Sequence, residues 1–246
     1  MRTFALLALL ALTGCATTGV PADTQKLAEG YYDKGLSYLQ EKNYELASVE
    51  FNRSIQTDSD YRQAYFGLGT ISAEQGKLDD AIKYFKEAID RDSRYSEAYN
   101  ALGAVYARQR DWKDALKCFR KALDNKLYAT PHIPNLNIGL VYMEMKDYNR
   151  AVEAFRESKR FVNQDMTNFQ LGRALFEAGR IKESVVEFRE GVGQAPQNAA
   201  MRYSLAVALL KDGSKKSALA EFKKAAELAP KSEIARKAND YIKTLR

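Results

Sequence analysis

Small residues and phenylalanines recur along this chain in a fixed pattern about 34 residues long. Six small residues start the pattern; a second small residue follows each after 12 positions, and a phenylalanine after 16. Such a period predicts six copies of one supersecondary unit stacked in a row. The three series are Gly35, Gly69, Gly103, Gly139, Gly172 and Ala206; Ala47, Ala81, Ala115, Ala151, Ser184 and Ala218; and Phe51, Phe85, Phe119, Phe155, Phe188 and Phe222.

The spacing within each unit favours two antiparallel helices. Small residues let two helix backbones approach where they cross, and a phenylalanine fills the space beside the crossing. Gly76, Gly179 and Gly213 mark turns between the two helices of a pair, while Pro196 and Pro230 stop helices between pairs. The pattern therefore predicts an all-α fold.

This pattern resembles the tetratricopeptide repeat, and the match covers residues 28–230 in six units. The resemblance implies a right-handed superhelical solenoid of six helix pairs. Residues 231–246 then read as a charged C-terminal capping helix, which a repeat array needs to cover its last apolar face. The connection Asn125–Pro134 departs from the pattern because it is two residues longer and holds Pro131, His132 and Pro134.

The N-terminus carries an export signal. Phe4–Leu12 is apolar but too short to cross a hydrocarbon core about 30 Å thick. Leu12–Cys15 resembles a bacterial lipobox, which implies cleavage after residue 14 and a diacylglyceryl thioether with acyl chains such as palmitate on Cys15. We expect a signal peptide over 1–14 and a lipidated tether over 15–27. Ala16 favours outer-membrane sorting, facing the periplasm; the alternative is an ordinary secretory signal with a chance cysteine.

Composition offers little support for other functions. The formal charge of +6 invites a nucleic-acid interpretation, but Lys and Arg are interleaved with Asp and Glu, as on solvated helix faces. His132 is the single histidine, and Cys118 is the single thiol beyond Cys15. Cys118 reads as a small buried hydrophobe. We therefore expect no enzyme, no metal, no cofactor besides the lipid on Cys15, and no nucleic-acid partner.

We therefore expect the binding function to lie on the concave face of the solenoid. The first helix of each pair lines this face with the side chains at positions 2, 5, 9 and 12 of the repeat. These positions are more apolar than a solvated face, which suits an amphipathic helix or an extended apolar segment of a partner. The alternative is that the tail 16–26 or the last helix fills the groove. The predicted groove residues are Tyr32, Leu36, Leu39, Phe66, Thr70, Asn100, Ala104, Leu136, Leu140, Met143 and Phe169.

Six repeats behind a lipobox resemble the pilotin lipoproteins of type IV pilus systems. The local signal is Lys126–Pro131, with its Leu-Tyr-x-x-Pro sequence, leading into Asn137–Leu140. The resemblance implies a monomeric protein that binds the pilus secretin and promotes its assembly and multimerisation in the outer membrane. Two alternatives stay open. One is a scaffold for outer-membrane protein insertion or for peptidoglycan hydrolases; the other is a cell-wall enzyme, for which the sequence offers no residues.

Overall fold

The computed structural model describes residues 21–245, which fold into thirteen helices without a strand in that range. The predicted all-α architecture of six helix pairs and one capping helix is confirmed. The signal peptide, Cys15 and the tether up to residue 20 lie outside the described residues. The helices are α1 (Ala22–Gln40), α2 (Tyr44–Thr57), α3 (Arg62–Glu74), α4 (Leu78–Arg91), α5 (Ser96–Arg108), α6 (Trp112–Asp124), α7 (His132–Glu144), α8 (Tyr148–Phe161), α9 (Asp165–Glu177), α10 (Ile181–Gln194), α11 (Ala199–Lys211), α12 (Lys215–Leu228) and α13 (Glu233–Leu245).

Two boundaries differ from the sequence-based prediction. Helix α1 begins at Ala22, so residues 22–27, predicted as tether, are helical. Pro21 precedes them with a carbonyl that accepts from the backbone N–H groups of Thr24 and Gln25. Helix α7 begins at His132, so Pro134 lies in its first turn, where the missing N–H breaks no helical hydrogen bond.

The six phenylalanines of the repeat form the core of the pairs, and each is at most 2% exposed. Each ring fills the space above the small residue of its own unit. A Cβ placed on Gly103 would lie 2.7 Å from Cε1 of Phe119, and one on Gly69 would lie 2.6 Å from Cε1 of Phe85. In the five pairs with glycine at this position, the helices therefore cross at a distance that leaves no room for a Cβ.

The six turns inside the pairs are built in two chemical versions. Each contains one residue with positive φ, which closes the preceding helix. In three turns this residue is glycine. In the other three it is Lys42, Arg110 or Lys146, whose strain is offset by the next residue. That residue is Asn43, Asp111 or Asp147, and its side chain accepts a hydrogen bond of 3.2 Å from the backbone of the following helix.

The direction of curvature follows from which helices meet. Each helix packs on its neighbour in sequence, and beyond that only odd-numbered helices approach one another in the described chain. The odd-numbered helices α1–α11 therefore line the shorter, inner side of the solenoid, and the even-numbered helices α2–α12 form its outer layer. We call these the inner and outer helices.

The two ends of the stack are finished differently. Lys34 stands where the later repeats have buried leucine or isoleucine, and its amine lies 3.0 Å from the Glu50 carboxylate. At the other end, the ring of Tyr241 in α13 stacks on Phe222 with centroids 4.6 Å apart, and Ile242 is buried beneath it. Polar residues close the first end, and an amphipathic helix closes the last.

Candidate partner-binding groove

The eleven predicted groove residues all lie on inner helices, and the structure brings them to one face. None of them is buried, although most are partly covered by neighbouring repeats, and Leu140 is 36% exposed. The phenylalanines one layer below are fully buried. The repeat frame therefore separates side chains that build the solenoid from side chains that remain available on its inner surface.

Aromatic residues at the fifth repeat position form the floor of the groove. Tyr32 contacts Phe51 of its own pair and Tyr61 of the next, with ring centroids 5.6 and 5.5 Å apart. Phe66 packs in the same way against Phe85 and Tyr95, 5.5 Å from each. Phe169 and Tyr203 also pack on the phenylalanines of their own pairs. These rings join consecutive repeats, so they contribute to stability as well as to the groove surface.

The centre of the groove lacks this aromatic floor. Asn100 and Leu136 occupy the fifth position there, and the side-chain amide of Asn137 donates to Oδ1 of Asn100 at 3.1 Å. This pair places polar groups on an otherwise apolar surface. Amide groups in a groove can also meet the backbone of a bound segment.

Beside this polar pair the groove deepens into a recess of about 490 Å³ between α5 and α7. Its depth has a simple cause: the apolar side chains that α5 contributes are only the small Ala104 and Ala107, whereas α7 contributes Leu140 and Met143. Trp112, the first residue of α6, lines another side. The recess is large and apolar enough to receive bulky side chains of a partner.

Three arginines surround the recess: Arg108, Arg110 and Arg173. Within residues 21–245 none of them forms an ion pair with a carboxylate. Arg108 donates to the carbonyl of Ala73 at 2.6 Å, and Arg173 donates to Oε1 of Gln170 at 3.0 Å. Glu144 is the one acidic residue in the lining, so the rim is positively charged.

A smaller recess of about 160 Å³ lies between α9 and α11. Phe176, Tyr203 and Val207 contribute apolar surface there, and Arg173 lines this recess as well as the larger one. The two openings therefore lie along one face of the solenoid, with a cationic side chain between them.

The capping helix leaves the larger recess open. Helix α13 packs only on α12 and α11, where it covers the end of the sixth repeat. Residues 22–26, part of the tail considered as an occupant of the groove, lie in α1. No described segment of the chain therefore fills the recess between α5 and α7.

Sequence reasoning missed the tryptophan and two of the arginines. Trp112 and Arg110 lie at the turn between α5 and α6, outside the four repeat positions used to define the groove. Arg108 follows the last of those positions by one residue. One signal was available, since Trp112 is the only tryptophan and opens an outer helix at the edge of the groove.

The remaining reactive groups lie away from the groove. Cys118 is buried on the outer side, as predicted, and burial raises the pKa of its thiol to about 11. The backbone carbonyl of His132 accepts a hydrogen bond from Ser158 Oγ at 2.9 Å. Among residues 21–245 no three histidine, cysteine, aspartate or glutamate side chains gather as metal ligands would. In that same range no helix combines the length and apolar character that crossing a bilayer requires.

Comparison with family models gives one consistent result. Three models, each described as a tetratricopeptide repeat, match residues 60–127, residues 169–233, and residues 28–61 with 135–160. Together they span most of the solenoid. No curated protein matches the chain.

Solved structures share the fold at low sequence identity. The chain matches PilF of Pseudomonas aeruginosa with a TM-score of 0.78 and 21% identity, over 89% of this chain and 99% of that one. It matches PilW, a widely conserved type IV pilus biogenesis factor, with a TM-score of 0.76 and 19% identity, over 86% and 98% of the two chains. YrrB, a repeat protein with an unusual peptide-binding site, matches with a TM-score of 0.65 and 22% identity, over 77% and 97%.

Proposed function

The chain belongs to the tetratricopeptide-repeat proteins, and we propose on that premise that it holds an apolar segment of the type IV pilus secretin in its inner groove. In this proposal the protein is an outer-membrane lipoprotein that faces the periplasm and is anchored through Cys15. It promotes multimerisation of the secretin in the outer membrane and has no catalytic role.

The observation that carries the proposal is the open recess between α5 and α7. Apolar surface exposed to water is unfavourable. A partner that covers it contributes roughly 25 cal/mol of binding free energy per Å², before the cost of ordering both partners is subtracted. The walls made by Leu140, Met143 and Trp112 fit large apolar side chains. The arginines at the rim favour a segment that carries carboxylates beside those side chains.

The choice of a pilus partner has independent support from three directions. The solenoid has the fold of PilW over nearly the whole of both chains. The Leu-Tyr-x-x-Pro connection at Leu127–Pro131 and the lipobox at Cys15 agree with the pilotin resemblance.

The first experiment compares secretin in a strain that carries the gene with secretin in a deletion strain. We expect denaturant-resistant secretin oligomers in the parent and monomers in the deletion strain. Intact rings in the deletion strain would show that the protein does not serve secretin assembly. Complementation with a plasmid copy controls for effects on neighbouring genes.

A second experiment locates the binding surface. We expect Leu140→Glu to reduce secretin capture by about tenfold or more, because a carboxylate would have to be desolvated in the recess. Leu140 is 36% exposed, so the melting temperature should not change. Val186→Glu on the outer helix α10 is the matched control, since Val186 is 59% exposed. Phe66 is a poor probe, because it packs between Phe85 and Tyr95.

A further inference from the structure

The most exposed large apolar side chains of residues 21–245 are concentrated on one edge of the solenoid, while the less exposed Leu46, Val49, Leu140 and Met145 lie elsewhere. We call this edge the tether edge, where inner helices begin and outer helices end; it comprises the start of α1, the connections 58–61, 92–95, 125–131, 162–164, 195–198 and 229–232, and the helix ends next to them. Leu127 is 92% exposed there, Phe161 56%, Leu27 54% and Met166 51%. Among large apolar residues of 21–245 that are more than half exposed, only Val186 lies elsewhere.

Two hydrogen bonds of the Asn125 side chain hold the loop that exposes Leu127. Oδ1 of Asn125 accepts from the backbone N–H of Leu127 at 3.0 Å, and the Asn125 amide reaches the carbonyl of Arg94 at 3.4 Å. The next residue, Tyr128, is buried and anchors the loop to the repeats. The loop therefore turns one side chain inward and presents the other to the outside.

Helix α1 projects beyond the same edge. Ala28 is the repeat equivalent of Arg62, the first residue of α3, so Ala22–Leu27 extend α1 by about 9 Å at 1.5 Å per residue. The chain continues from there toward Cys15, seven residues before Ala22, a reach of roughly 25 Å at full extension. A lipid on Cys15 would therefore hold the bilayer close to the tether edge.

The residues next to the exposed side chains suit a phospholipid surface. Lys26, Lys126 and Arg160 directly precede Leu27, Leu127 and Phe161. Arg160 also pairs with Glu157 at 3.0 Å, and Met166 follows an aspartate, so the edge is mixed in charge rather than strongly basic. Cations beside inserted apolar side chains lie at the level of the lipid phosphates.

We propose that the tether edge lies flat on the lipid bilayer, with Leu127 and Phe161 inserted among the lipid headgroups. This inference rests on the lipidated Cys15 of the proposed function but concerns a different surface from the secretin groove. The exposed apolar side chains lie at the start of α1 and at the third and fourth connections, so several repeats can contact one surface. The anchor also keeps the bilayer within reach of this edge.

The test uses the lipidated chain in vesicles of phosphatidylethanolamine and phosphatidylglycerol. An environment-sensitive NBD label is attached to Leu127→Cys and, as a matched control, to Lys146→Cys on the opposite edge. Acylated Cys15 has no free thiol, and the buried Cys118 thiol stays protonated, so labelling is selective. We expect a blue-shifted emission and about twofold or greater quenching by brominated lipids at residue 127, with neither effect at residue 146.

Each outcome of the vesicle experiment supports or overturns the proposed membrane contact. A chain that stays with the vesicles while the label at residue 127 remains in water overturns the proposal. A chain that does not remain bound to the vesicles would show that Cys15 does not anchor it, which also overturns the proposal. A blue shift that requires added secretin instead assigns the edge to a protein partner. Loss of the blue shift in Phe161→Ser, with an unchanged circular dichroism spectrum, adds support. The secretin oligomer assay remains independent of all these outcomes.

Discussion

Five of the six helix pairs depend on glycine at the crossing, where a Cβ would overlap the phenylalanine ring. Because a Cβ on Gly103 would overlap the Phe119 ring, we expect Gly103→Ala to lower the free energy of unfolding by about 1–3 kcal/mol. Urea denaturation followed by circular dichroism measures the loss. The sixth repeat already accommodates Ala206 at this position, so we expect strain rather than failure to fold.

Gly30 is the matched control for that substitution. It lies within α1, and a Cβ there would meet no heavy atom within 4 Å. Gly30→Ala should therefore gain about 0.5–1 kcal/mol through helix propensity alone. Equal responses at Gly30 and Gly103 would contradict the account of the crossing.

Three acidic groups, one buried and two partly buried, predict that stability falls at alkaline pH. Burial raises the pKa of Tyr61 to about 12 and of the Cys118 thiol to about 11, and raises the pKa of Tyr95 still further. Above pH 9, the ordinary value for the thiol, the unfolded chain releases protons that the folded chain retains. Because the folded state then binds more protons, stability decreases as pH rises.

Melting temperatures measured from neutral to alkaline pH test this expectation. We predict that these groups change the melting temperature little below pH 9, and that it falls steadily as pH rises from 9 to about 12. Tyr95→Phe should make the fall shallower, since phenylalanine has no proton to release. A melting temperature that rises above pH 9 would refute the assignment.

At the scale of helices, the sequence predicted most of the architecture because each repeat position has one structural task. The register of Gly35 and Phe51 fixed six pairs, including turns such as Arg110–Asp111 that contain no glycine. The start of α1 at Ala22 was missed because it lies before the first repeat unit, where the repeat pattern makes no prediction. Capping at Pro21 depends on local backbone geometry.

The groove was predicted less completely than the fold. The repeat frame identified which residues face inward, but not how deep the surface is between them. Depth arises from the size difference between Ala104 on one helix and Leu140 on the next, together with Trp112 from an outer helix. Such a recess depends on residues of three different helices, so no single repeat position reveals it.

The capping helix offers a prediction at this same scale. Deleting residues 232–246 removes the stacked Tyr241 and the buried Ile242, which exposes apolar surface on α11 and α12. We expect a lower melting temperature and concentration-dependent self-association in light scattering. Lys237→Ala is the control, because this side chain is half exposed and pairs only with Glu233. A truncated chain that stays monomeric and equally stable would contradict a capping role.

Across the whole molecule, the two proposed interactions lie on separate surfaces. The groove lies on the inner side of α5 and α7, whereas Leu127 and Phe161 lie on the tether edge. The protein could therefore contact the membrane and a secretin segment at the same time. That arrangement would hold the partner at a set height above the bilayer.

The stacking of repeats also predicts how the molecule unfolds. Described helices contact only helices one or two places away in the chain, so stability is the sum of local terms rather than one global core. Phe51 and Phe119 are equivalent positions of two repeats and are both buried, so replacing either by alanine removes the same aromatic ring from the core. We expect either substitution by alanine to cost about 3–5 kcal/mol locally.

The helices that lose protection from amide hydrogen exchange should differ between the two variants. Phe51→Ala should raise amide hydrogen exchange in α1 and α2 while α9–α12 keep their protection, because an end repeat can open alone. Phe119→Ala interrupts the stack at the third repeat, so exchange should rise on both sides of α6. Hydrogen exchange with mass spectrometry resolves each helix. Uniform loss of protection in both variants would mean that the solenoid unfolds as one cooperative unit.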